Sequence, residues 1–152
     1  MNKPKKKRMI SMAKTFSTTV SLKNYLESAC NKAVENACNR LLGTLQQLID
    51  SEYYDVYDPV WYNRTYQFWE SATTKMLSNT CGQIFMNPNA MHYGSGWSGE
   101  EQIQAANLGI HGGMFTDATL QHRYWDKFIE YCDENAVQIL KEELKKQGLS
   151  TK

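Results

Sequence analysis

Between Ser21 and Asp50, Leu22, Leu26, Ala29, Ala33, Ala37, Leu41, Leu45 and Leu48 recur at steps of three and four. Steps of that size place side chains on one face of an α-helix. Cys30, Val34 and Leu42 widen the stripe, and Lys23, Glu27, Asn31, Glu35 and Asn39 take the opposite face. Such a helix is about 45 Å long at 1.5 Å per residue, so it sets the long dimension of the fold. Ser21 carries the hydroxyl expected of an N-cap. Gly43 is a local weak point. The helix outruns a single small sheet, so part of its apolar face is expected to pack on a neighbouring subunit.

The next segment, Tyr53 to Ser71, reads YYDVYDPVWYNRTYQFWES and holds eight of the chain's aromatic residues, which number 4 Trp, 9 Tyr and 5 Phe in all. Asp58-Pro59 is a helix-start signal, because Asp caps and Pro suits the first helical position. The reading is a short helix from Pro59 to Ser71, with Tyr62, Tyr66 and Trp69 on one side and Trp61, Thr65 and Phe68 beside them. A run this aromatic serves either as a core junction or as a docking surface for another protein, since Tyr and Trp combine apolar area with a polar tip. Arg64, set among the rings, can stack or donate to a carboxylate.

Thr73 to Leu77 and Gly82 to Met86 have the short, β-branched and aromatic texture of strands. Asn87-Pro88-Asn89 is a turn signal. Seven of the nine glycines fall within residues 82–113, which reads as strand, long loop, then a strand or turn near Leu108 to Phe115. From Leu120 to Gln147 an apolar stripe through Tyr124 or Trp125, Phe128, Cys132, Ala136, Ile139 or Leu140, and Leu144 predicts a second long helix, stopped by Gly148. The fold class is thus α+β: a long N-terminal helix and a C-terminal helix packed on a small, mainly antiparallel sheet.

Residues 1–14 hold six basic residues and no acid, leaving eleven basic against sixteen acidic in the remainder. The expected organisation is a flexible basic arm over residues 1–20 and a single, mildly acidic domain over 21–152. An acidic body is a poor general grip on nucleic acid. No apolar run is long enough for a membrane span, so no membrane partner is expected. The cysteines (Cys30, Cys38, Cys81, Cys132) form no C-x-x-C pair, and free, mostly buried thiols are expected.

Candidate chemistry is sparse. His92, His111 and His122 match no zinc spacing, even with Cys81. Glu100 and Glu101 are adjacent, which does not by itself converge two carboxylates on a substrate. HYGSGWSG and HGG lack the strand, helix and lysine of a phosphate loop. No catalytic, metal or cofactor residues are assigned, and a non-enzymatic role is expected. The alternatives are a binding or regulatory module, or a small hydrolase built on a Cys–His pair that meets only in space.

The order of elements, with Tyr57-Asp58-Pro59 followed by Tyr62-Asn63-Arg64-Thr65-Tyr66 and then Ser71, resembles the minor structural proteins of tailed bacteriophages, the tail-component or neck family. The resemblance covers most of residues 20–147 in element order. The chain departs from it in a glycine-rich loop lengthened by GSGWSGEEQIQAANLGIHGG. The resemblance implies a virion protein at the head–tail junction: a homo-oligomeric ring for tail completion or termination, contacting connector and tail proteins and admitting DNA through a channel. Interface candidates are Tyr57, Trp61, Tyr62, Arg64, Tyr66, Trp69 and Trp97.

Overall fold

A computed structural model describes residues 14–56, 65–92, 96–109 and 123–149. The first element, α1, runs Thr19–Ile49 and continues into a π-helical turn over Asp50–Tyr54. It begins earlier than Ser21. Thr18 is the N-cap, accepting from the Ser21 amide, while the Ser21 side chain returns to the Thr18 backbone, a reciprocal box. Residues 14–18 do not hang free of the helix. Phe16 packs on Tyr25 with ring centroids 5.1 Å apart, and the Lys14 ammonium sits 4.2 Å above the same ring. Residues 1–13, the greater part of the expected arm, lie outside the described residues.

The deeply buried residues of α1 include Ala29, Ala33, Ala37, Leu41, Leu45 and Ile49, each four residues after the last. Four residues exceed one 3.6-residue turn by about 40°, so the buried stripe winds around the helix. Two partners cover it. One is α4, Tyr124–Lys146; the other is a hairpin of β1, Ala72–Ser78, and β2, Cys81–Met86. Leu22 and Leu26, on the expected apolar face, remain 38% and 39% exposed.

The hairpin is a two-stranded antiparallel sheet with Ala72 opposite Met86, Thr74 opposite Ile84 and Met76 opposite Gly82. Those residues form the face toward α1, where Gly82 lies so close that an added Cβ would overlap the Cys38 sulfur. A bulge between Met76 and Ser78 ends the regular register and leaves Leu77 exposed. Asn87 caps a 3-10 turn, Pro88–Ala90, in place of a simple turn.

Three expectations require correction. The helix over Pro59–Ser71 is not continuous: α2 spans only Gln67–Ser71, and Tyr66 before it has φ 56°, outside helical geometry. The Asp58-Pro59 start lies outside the described residues. Within the glycine-rich region, Gly99–Leu108 is a helix, α3, capped by Ser98 and Glu101 at one end and by left-handed Gly109 at the other. The C-terminal helix does not run unbroken from Leu120, because Arg123 has φ 43°. Its end is as expected: Gly148 is left-handed, and the Gly148 and Leu149 amides donate back to Lys145 and Leu144, closing a Schellman motif. Of the four free thiols only Cys38 is buried, and Cys81 is exposed.

Candidate functional site

Tyr53, Tyr54, Tyr66, Phe68 and Tyr124 meet where the end of α1, α2 and the start of α4 converge. The π-turn widens α1 by one residue, the Asp55 amide reaching Asp50 at 2.8 Å. That extra residue lets neighbouring Tyr53 and Tyr54 serve one cluster. Tyr54 stacks on Tyr66 at 4.9 Å and meets Tyr53 edge-on at 5.1 Å; Tyr53 lies 4.9 Å from Phe68, and Phe68 meets Tyr124 edge-on at 5.4 Å. These are favourable offset and edge geometries. The chain of rings leads from half-exposed Tyr66 to fully buried Tyr124. Polar tips are satisfied on the way. The Trp69 indole donates to Asp50 at 3.2 Å, and the Tyr124 hydroxyl donates to the Ile103 carbonyl at 3.3 Å. Burial pushes the Tyr124 phenol well above its ordinary range.

Of the seven interface candidates, Tyr57, Trp61, Tyr62 and Arg64 lie outside the described residues. Tyr66 is exposed at the rim of the ring cluster and strained in the left-handed region, which a bulky side chain rarely adopts. Trp69 is half-buried and ties α2 to the end of α1. Trp97 is half-buried just before the α3 cap. The structure thus brings Tyr66 and Trp69 into one neighbourhood, with Trp97 on a separate element.

Among the residues with candidate chemistry, Glu101 is taken up by a structural role. The Glu101 carboxylate takes the Ser98 amide at 2.8 Å and hydroxyl at 2.9 Å, and these bonds hold it below the usual carboxylate range. It serves the α3 cap and is not paired with Glu100. His92 is exposed, and its backbone amide donates to Gln67. His111 and His122 lie outside the described residues. Among the described residues no group of three His, Cys, Asp or Glu could hold a metal ion. A shallow polar cleft of about 340 Å³ is lined by Asn24, Glu27, Ser28, Asn31 and the hairpin-tip residue Asn79. No helix among the described residues is long and apolar enough to cross a membrane.

One polar cluster went unnoticed in the sequence. Glu143 is buried on α4, and its carboxylate meets Lys146 at 2.6 Å, Arg40 of α1 at 2.9 Å and Asn36 at 3.5 Å. Arg40 also binds Glu142 at 2.9 Å. Lys146, and then Arg40, hold Glu143 below the usual carboxylate range against the opposing effect of burial. Glu143 sits four residues after Ile139, in phase with the apolar stripe, and that misfit was the available signal.

The exposed large apolar side chains are Val20, Leu22 and Leu26 in the first part of α1, Val56 and Tyr66 between α1 and α2, Leu77 in β1, Leu108 at the end of α3, and Ile129 and Val137 on α4. The family model of YomN matches residues 18–147, nearly the whole chain. Neither a curated protein nor a solved structure matches it.

Proposed function

Because the chain belongs to the YomN family, a family of phage-derived proteins, we propose that it is a non-enzymatic structural protein of a phage particle. In this reading it acts at the head–tail junction as an oligomeric ring, in tail completion or termination. The observation that carries the proposal is the apolar surface left over by the fold. The stripe of α1 extends past its own partners into Leu22 and Leu26, and further large apolar side chains stand exposed elsewhere among the described residues. Exposed apolar groups collected into patches mark association sites, whereas singly scattered ones do not. The half-exposed Tyr66 at the edge of a packed ring cluster has the make-up of an interface anchor. An acidic body lining a channel would also repel DNA from the wall and let it pass.

Mass spectrometry of density-purified particles from a lysate carrying the gene tests the reading. Peptides of this chain at stoichiometric abundance, with electron microscopy of the purified protein showing rings, are the expected result. A chain absent from particles and monomeric at all concentrations overturns it.

A further inference from the structure

We propose that the free edge of β2 is a strand-pairing surface, along which a second copy of the chain adds its own β2 antiparallel, making a four-stranded sheet across a two-fold axis. The inference goes beyond the assembly reading above. It assigns one contact between two copies, and it holds or fails whether or not the chain enters a particle.

The ladder of the hairpin fixes which backbone groups look outward. The Asn87 amide donates to the Ser71 carbonyl at 2.7 Å, and these two residues continue the register that sets Ala72 opposite Met86. Bonded pairs alternate with unbonded pairs along an antiparallel ladder. Thr73 with Phe85 and Lys75 with Gln83 are therefore the bonded pairs. Gly82, Ile84 and Met86 belong to the unbonded pairs, so their amides and carbonyls turn away from β1 to the outer edge of β2. Among the described residues no backbone hydrogen bond from outside the hairpin reaches that row. The chief neighbours of β2 are β1 and α1.

The two edges of the sheet differ. On β1 the Ala72 amide is already taken by the Trp69 carbonyl, Lys75 is exposed, and the bulge between Met76 and Ser78 breaks the register. Charge and bulges are the usual means by which an edge is kept from pairing. β2 reads CGQIFM, without charge or proline, and the bulged residue is not on it. An uncharged strand left open in this way invites uncontrolled addition. A second β2 closes it. With Ile84 opposite its own copy, Gly82 meets Met86 on either side of the axis, and every outward group of the three residues finds a partner. The new sheet ends on two blunted β1 edges, so pairing stops at two copies. Both α1 helices then lie on one face of it. Because α1 packs on both strands of its hairpin, the two helices come about 10 Å apart, two strand spacings, which is an ordinary distance for packed helices. Val34 stands half-buried beside Gly82, on the side of α1 that the partner helix approaches. A foreign strand would form the same ladder without that helix contact, so a second copy fits better.

Sedimentation velocity and amide hydrogen exchange on the full wild-type chain test this. The expected result is association that reverses on dilution, with the Gly82, Ile84 and Met86 amides exchanging at least about tenfold more slowly in the associated form than in the monomer. The outward Thr74 and Met76 amides of β1 should not change between the two. Cross-linking checks the register. Gln83 and Phe85 lie on the sheet face away from α1 and would oppose each other across the axis as an unbonded pair, with Cα atoms about 4.5 Å apart, close enough for a disulfide. In a Cys81→Ser background, a mixture of Gln83→Cys and Phe85→Cys chains should therefore cross-link under oxidised glutathione several-fold more than either form alone. An associated form whose β2 amides exchange as fast as in the monomer places the contact elsewhere and overturns the assignment while leaving self-assembly standing. A chain that is monomeric at every concentration overturns it as well. If those amides are already slow in the monomer, the edge is covered within one copy, and the assignment also falls.

Discussion

Gly82→Ala tests the contact that seats the hairpin on α1. The added Cβ would overlap the Cys38 sulfur and touch Val34 and Met76 at 3.4 Å each. Cys38 is buried, which limits how far its sulfur can move aside. Overpacking of this kind costs about 1–3 kcal/mol. Ala is better than Gly in a strand by about 0.5–1 kcal/mol, which offsets part of the loss. The net expectation is a loss of about 1–2 kcal/mol. For a chain of this size that is a fall of about 2–8 °C in Tm, at about 2–4 °C per kcal/mol. In a Cys38→Ala background the obstructing atom is gone, and the same Gly82 change should be neutral or stabilising by up to about 1 kcal/mol. Urea titrations of the four proteins, followed by circular dichroism, close a double-mutant cycle with an expected coupling above about 1 kcal/mol. Effects that add to within about 0.5 kcal/mol would refute the idea that the sheet rests on α1 through this atom pair.

Phe68→Ala should cost about 3–5 kcal/mol, because the ring is buried between Tyr53 and Tyr124, whereas Tyr66→Ala at the exposed rim should cost less than about 1.5 kcal/mol. Denaturant midpoints in the reverse order would contradict the placement. Glu142 and Glu143 are both held below the usual value of 4.5, so the stability they contribute is present above that pH and is lost as pH falls through their folded values. The urea midpoint should drop on acidification below about pH 4.5, and Glu143→Gln should flatten that dependence while lowering stability at neutral pH. Arg123→Gly removes left-handed strain before α4 at the cost of one exposed ion pair, so Tm should hold or rise, by up to about 1 kcal/mol of stability. Ser98→Ala should cost about 1 kcal/mol and appear as faster amide exchange in the first turn of α3.

The long elements were legible because their signals are local and repeated. The stripe from Leu22 to Leu48 announced α1, and Gly148 announced where α4 stops. The α1 cap was misplaced by three residues because Thr18 and Ser21 both carry a capping hydroxyl; in the box that forms, Ser21 is the answering partner. Helix α3 was hidden by glycine density, although Ser98-Gly99-Glu100-Glu101 and Gly109 spell both of its ends. Tyr66 and Arg123 broke two expected helices, and nothing in a bulky residue's identity signals positive φ. The site was legible in composition but not in arrangement. The aromatic run pointed to the junction, yet its innermost member, Tyr124, comes from a helix far along the chain. The partners of Glu143 include Arg40, more than a hundred residues away, a distance that no local pattern spans.

The winding stripe on α1 makes that helix a screw thread. Sliding it by one four-residue step, about 6 Å, keeps small and large side chains engaged only if the helix also turns by about 40°. The hairpin grips the thread on one side and α4 on another, so neither can follow such a turn without releasing its neighbour. The Arg40–Glu143 pair acts as a set pin across the thread. A slide of α1 along its partners therefore requires the hairpin contact, the α4 contact and the Arg40–Glu143 pair to give way together.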